Sequence, residues 1–177
     1  MQLAMVSVLP VPLQYTMANL FIALRDCNIF LENIDKPADL ELYDKARWIA
    51  EVKALKAYYH FYLLRMYGPI PIVKENIPVS SDIDEVKVYR DPVEDVFAYI
   101  VALLDEAAAD LPEYIQNRTQ EIGRLTKPIA LALKAKALTL AASPLFNGNP
   151  YYANMKDNRG ISLFPQTYDP EKWTLAA

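Results

Sequence analysis

Apolar residues recur every three or four positions along most of this chain, the spacing that one face of an α-helix requires. Leu20, Leu24, Cys27, Leu31 and Ile34 mark a first helix from about Met17 to Ile34. Asp35-Lys36-Pro37 ends it, because proline disfavours helical backbone at the residue before it. A second, longer helix runs from about Leu40 to Tyr67. Trp48, Val52, Leu55, Tyr59, Tyr62 and Met66 form its apolar stripe. Ala54, Ala57, Tyr58 and Phe61 widen that stripe, so this helix is predicted to touch neighbours on more than one side. Arg47, Glu51, Lys53, Lys56 and Arg65 mark the face left for solvent. Gly68 suits the position just past the helix, where positive φ costs glycine little, and Pro69 forbids continuation. Ile70-Pro71-Ile72-Val73 then reads as extended chain.

Residues 77–90 read as a loop carrying Asp82, Asp84 and Glu85. A third helix is announced by Asp91 as N-cap, Pro92 at the first helical position and Glu94 at the third, a capping-box pattern. Such a cap contributes about 1 kcal/mol. Val93, Phe97, Ile100, Leu104, Ala107 and Leu111 are its core face, and Asp105, Glu106 and Asp110 fall outside it. Leu111-Pro112 closes this helix, and residues 113–125 read as a linker. A fourth helix starts with Thr126 as N-cap and Pro128 in the first turn, and reaches about Ala142. Its alanines (130, 132, 135, 137, 141 and 142) would let a neighbouring helix approach closely. After a loop from Ser143 to Tyr168, a last helix begins at Asp169-Pro170-Glu171. Residues 1–16 show no period and carry Pro10 and Pro12, and read as irregular. The expected fold is all-α, antiparallel helix pairs with long loops. It is tetratricopeptide-like in layout, though without a strict repeat of about 34 residues.

Composition narrows the chemistry. With 177 residues, 53% apolar and 23% charged, the chain is long enough for a real core. A net charge of −4 without a basic stripe argues against nucleic acid as a partner. One cysteine, Cys27, excludes an internal disulfide and a cysteine zinc site. One histidine, His60, leaves little for histidine catalysis or metal binding, so no cofactor or metal is expected. Both read as core residues. The twelve tyrosines suit half-buried surfaces, either helix-pair interfaces or platforms for sugar rings. Asp91, Glu94 and Asp95, and then Asp105, Glu106 and Asp110, are candidate carboxylates, but caps and wet helix faces account for them, and no catalytic residue is assigned.

Phe146-Asn147-Gly148-Asn149-Pro150-Tyr151-Tyr152 is the best candidate surface. Asn147 and Asn149 could bind sugar hydroxyls while Tyr151 and Tyr152 stack on sugar faces. The competing reading is a tight turn in which asparagine and glycine supply unusual backbone angles. Asn117-Arg118-Thr119 matches a glycosylation sequon of the kind that occurs by chance. The opening MQLAMVSVLPVPL lacks a basic n-region and a cleavage site, and Leu24-Arg25-Asp26 is wrong for a lipoprotein signal before Cys27. The chain is therefore expected to carry no address of its own.

Five segments resemble the SusD/RagB-type nutrient-binding proteins. They are the early helix around Arg25 to Asp35, AEVKALKAYYHFYLLRMYGPIPIV (50–73), YRDPVEDVFAYIVALLDEAAADLP (89–112), GRLTKPIALALKAKALTLAASPLFNGN (123–149) and Glu171 to Ala177. They fall in the family's order and cover about 19–177. The resemblance implies a surface-exposed lipoprotein of the outer membrane in Bacteroidota-type bacteria. Such a protein binds oligosaccharides, without catalysis, for a SusC-like TonB-dependent transporter. It implies residues 17–177 as a partial SusD-like helical scaffold, with 1–16 unmatched. It also implies a much longer whole, so that an uncovered apolar face would promote self-association. The alternative is a helical-repeat adaptor for protein or peptide, with Tyr58 and Tyr62 on its binding face.

Overall fold

The computed structural model describes residues 13–177. Their elements are α1 (Leu13–Asn33), α2 (Leu42–Tyr67), α3 (Ile83–Val86), α4 (Val93–Asp110), α5 (Arg118–Glu121), α6 (Lys127–Ala142), a 3-10 turn at Pro150–Tyr152, and α7 (Glu171–Ala176). No β-strand occurs among the described residues, and one isolated bridge joins Lys156 to Ser162. The protein is all-α. The helix α1 begins at Leu13, so residues 13–16 are helical where the pattern predicted irregular chain. The rest of that segment, residues 1–12, lies outside the described residues.

The four long helices stack in chain order, α1 on α2, α2 on α4 and α4 on α6, with α7 against α6. Neighbours run antiparallel. Lys53 of α2 meets Glu106 of α4, and His60 of α2 meets Tyr99 of α4. Lys134 of α6 meets Asp105 of α4, and Phe146, just past α6, meets Phe97 near the start of α4. Leu24 and Cys27 of α1, and Ile34 just past its end, are buried as the spacing predicted. So is the whole predicted core face of α4, which Val96, Leu103 and Ala108 extend.

The face of α2 departs from the prediction in part, although Ala54, Ala57 and Phe61 are buried and the helix packs on two sides as expected. Its buried residues are Ala50, Ala54, Ala57, Phe61 and Leu64, together with Arg47, Lys56, His60 and Leu63. Trp48 and Met66 are exposed, and the remaining bulky members of the predicted stripe are only half-buried. Small residues let α1 and α4 approach α2 closely from two sides, and Trp48 and the tyrosines are pushed to the edges of those contacts while Phe61 stays inside. Arg47 and Lys56, assigned to solvent by their charge, lie inside because their long stems fill space and their heads find partners.

The capping predictions divide. Gly68 ends α2 with φ 70°, and its N–H donates to Leu64 O at 2.9 Å. Thr126 sits in extended backbone at the N-cap of α6, but its side chain makes no capping bond. At α4 the capping box is absent. The cap position is Pro92, and the N–H of Val93 donates to the carbonyl of Leu163, 3.0 Å away. Asp91 accepts instead from the N–H of Ile72 at 2.7 Å, while Glu94 pairs with Lys172 of α7. A distant loop reaches the helix start before a local side chain does. The last helix starts at Glu171, with Asp169 accepting from its N–H at 2.9 Å.

Candidate functional site

One end of the stack gathers the C-terminus of α2, the N-terminus of α4 and the loop after α6. The predicted sugar-binding run lies there. Asn147 is 2% exposed, and its carboxamide is fully engaged. It donates to Asp169 O at 2.7 Å and accepts from Asp169 N–H at 2.9 Å. Asn149 accepts from the N–H of Tyr151 at 3.0 Å and donates to Leu145 O at 3.2 Å. Gly148 has φ 68°, and a Cβ there would lie 2.4 Å from the backbone nitrogen of Tyr168. Both asparagines and the glycine thus build the tight turn that was the competing reading. Tyr152 stacks on Phe164 with ring centroids 4.6 Å apart, whereas Tyr151 is 93% exposed.

His60 anchors the same end. Its Nε2 accepts from the N–H of Val73 at 3.1 Å, so Nδ1 carries the proton and donates to Lys56 O at 2.8 Å. Burial pushes its pKa down to about 4, which keeps the ring neutral. Burial raises the Cys27 thiol to about 11, which makes it a poor nucleophile. Sequence reasoning missed Lys56. Its ammonium donates to Lys74 O at 2.6 Å, and burial lowers its pKa. The predicted carboxylates are dispersed. Asp91 holds Ile72, while Glu94, Asp105 and Glu106 pair with Lys172, Lys134 and Lys53. Tyr58 and Tyr62 lie side by side on α2 with centroids 6.3 Å apart.

The other end joins the N-terminus of α2, the C-terminus of α4 and the segment 112–126. An ion network that the sequence did not announce fastens it. Arg124 grips Glu51 through two hydrogen bonds of 2.9 and 3.0 Å, and Arg47 donates to Glu121 at 2.7 Å. Arg124 also reaches Glu121 at 3.3 Å. The Arg47 bond is the main cause holding the Glu121 carboxyl below the usual range, while the Glu51 bond raises Arg124. Arg47 is 6% exposed. Its Nε lies 3.4 Å from Glu51 without aligning for a hydrogen bond, and its Nη2 has no partner. Asn117 of the sequon caps α5 by accepting from the N–H groups of Thr119 and Gln120.

Comparison with known proteins places this architecture. Residues 11–138 match a SusD-like family model described as starch-binding and associating with the outer membrane. A SusD-like protein of Bacteroides ovatus is 28% identical over 140 residues, which cover 73% of this chain and 24% of the relative. The solved structure of BT4246 matches with a TM-score of 0.83 at 36% identity, over 90% of this chain and 27% of that one. A SusD-like carbohydrate-binding protein from Bacteroides fragilis matches with a TM-score of 0.65 at 27% identity, over 73% of this chain and 24% of that one. The chain spans about a quarter of the length of these relatives.

Proposed function

The chain belongs to the SusD-like family, and from that premise we propose that it is part of a non-enzymatic oligosaccharide-binding protein of the cell surface. In this reading the protein sits at the outer membrane as a lipoprotein and delivers its sugar to a SusC-like TonB-dependent transporter. The observation that carries the reading is the family match over residues 11–138, whose description names both starch binding and the outer membrane. The similarity to a carbohydrate-binding protein from Bacteroides fragilis supports the ligand class. The absence of catalysis is supported by the placement of the carboxylates, which serve as partners for lysines and backbone rather than converging on one cleft. Among the described residues, no group of three or more histidines, cysteines or carboxylates could hold a metal ion. No described helix is long and apolar enough to cross a membrane.

The test is calorimetric titration with neutral oligosaccharides of glucose, mannose, xylose and galactose, alongside an assay for newly released reducing ends. Binding without release is the expected outcome. Release of reducing ends would make the protein a glycosidase, and binding of peptides in place of sugars would make it the helical-repeat adaptor. Co-purification with a TonB-dependent barrel from an outer-membrane extract tests delivery, and a partner without such a barrel would refute it.

A further inference from the structure

The end fastened by ions also carries a cleft of about 250 Å³, between the first turn of α2 and residues 112–121. Two tyrosines line it, Tyr43 at 62% exposure and Tyr114 at 70%. Among the described residues neither ring has an aromatic or hydrogen-bonding partner. Leaving two large rings wet costs the fold the burial they would otherwise contribute, about 25 cal/mol for each Å² of apolar surface. Beside them are Gln116, whose amide has no partner among the described residues, and Gln120, whose carbonyl accepts from Asn117 while its amino group stays unpartnered. The floor is held rigid by the Arg47–Glu121 pair and its links to Arg124 and Glu51.

We infer that this cleft is a subsite for one or two rings of a neutral sugar chain. The inference rests on the oligosaccharide-binding reading and gives it a location. Flat phenol rings and free carboxamide groups recognise a sugar's apolar face and its hydroxyls together, and here both rings, the Gln116 amide and the Gln120 amino group are unengaged. In the turn at 146–152 the asparagine amides are already bonded internally. The charges choose a neutral ligand. Arg47 and Arg124 balance Glu51 and Glu121, and Asp44 gives the cleft wall itself a negative charge with no free cation among the lining residues, which disfavours uronic acids and sulfated sugars. The volume falls below the range of about 300–1,000 Å³ that encloses drug-sized ligands, so the cleft grips a short stretch of a chain that continues outside it.

The experiment titrates the protein with neutral oligosaccharides of glucose, mannose, xylose and galactose, and with oligogalacturonides. It compares wild type with Tyr114→Ala, Gln120→Ala and, as a control away from any candidate site, Val79→Ala. All three side chains are exposed, and unchanged melting temperatures establish that each variant is folded. The expected result is a neutral ligand that Tyr114→Ala weakens at least tenfold and Gln120→Ala several-fold, with Val79→Ala unchanged and no binding of oligogalacturonides. Sugar binding that Tyr114→Ala leaves intact overturns the subsite and leaves the oligosaccharide reading standing. Preference for oligogalacturonides overturns it as well. No binding of any sugar by wild type overturns both.

Discussion

The two ends of the helix stack close by different means. Where α2 ends and α4 begins, closure is dry. Phe146 meets Phe97 edge-on at 5.2 Å and stacks on Phe164 at 6.0 Å, while His60, Asp91 and Asn147 bond to backbone. Where α2 begins and α4 ends, four charged side chains do the fastening, and Tyr43, Tyr114, Gln116 and the amino group of Gln120 beside them stay free. The polar side chains of the first end are occupied by the fold. Those of the second are held in place next to others with nothing to bind. Residue type draws attention to the first end, because Asn, Gly and Tyr cluster there in sequence. Hydrogen-bond accounting draws it to the second.

The comparison breaks most visibly at Phe146. It is buried between two rings, so Phe146→Ala removes both contacts and opens a cavity. The expected cost is about 3–5 kcal/mol, read from urea unfolding. A loss below ~1 kcal/mol would mean that the dry end is not a closed core. Because the Leu163 carbonyl caps α4, the same variant should also increase amide exchange at Val93.

His60 gives the next largest effect, and it depends on pH. Its folded pKa of about 4 lies below the ordinary value of 6.5, so between these values the unfolded chain binds the extra proton. Stability from this group is therefore complete above pH 6.5 and is lost as pH falls toward 4, by roughly 3 kcal/mol. The loss follows from geometry. A protonated ring would turn Nε2 into a donor facing the Val73 N–H, beside the Lys56 ammonium. Denaturation curves at pH 7 and pH 4.5 check it, comparing wild type with His60→Gln. Carboxylates add their own acid loss to both proteins, so the difference between the two slopes is the quantity to measure. Equal slopes would refute the neutral-histidine strut.

These cases show what the sequence could and could not disclose. The core face of α4 was legible because Val93, Phe97, Ile100 and Leu104 are large and strictly spaced. The stop at Gly68 was legible because only glycine takes that backbone cheaply. The buried face of α2 was legible only in part: Ala54, Ala57 and Phe61 were placed on it, whereas Trp48 and Met66 register strongly in a hydrophobic period yet sit at an edge. The cap at Asp91 was misread because its true partner, Ile72, and the true cap of α4, Leu163, belong to other segments. The network of Arg47, Glu51, Glu121 and Arg124 joins residues more than seventy positions apart, and no local spacing reports that. The candidate site was legible by residue type and not by partner. Asn147 announces itself by type, while its partner Asp169 shows only in the fold.

At the ionic end, Glu121→Gln sharpens the contrast. It leaves the Arg47 guanidinium buried with a weaker partner, and uncompensated buried charge is what makes such changes costly. Because Glu121 is partly open to water, the expected loss is well short of that for a sealed pair. A double-mutant cycle with Arg47→Met measures the coupling directly. Additive losses would show that the pair does not act as a unit. Substantial coupling would show that the floor of the cleft is held by this contact, and Tyr114 and Gln120 would then be presented by a surface that unfolding, not ligand, must disturb.

The smallest effect is expected at the pair between Asp105 and Lys134, and its smallness is the useful part. Like Glu121 and Arg47, these two groups bridge consecutive segments of the stack, here α4 and α6. Unlike them, Asp105 is half open to solvent, so water competes for both charges and salt screens what remains. Asp105→Asn should therefore cost less than ~0.5 kcal/mol, and the cost should vanish in molar salt. Glu121→Gln should keep most of its cost under the same salt, because Arg47 is shielded from counterions. If both variants lost their effect together, the ionic end would be no more than a decorated surface. The argument that it forms a rigid rim for a ligand would then fail with it.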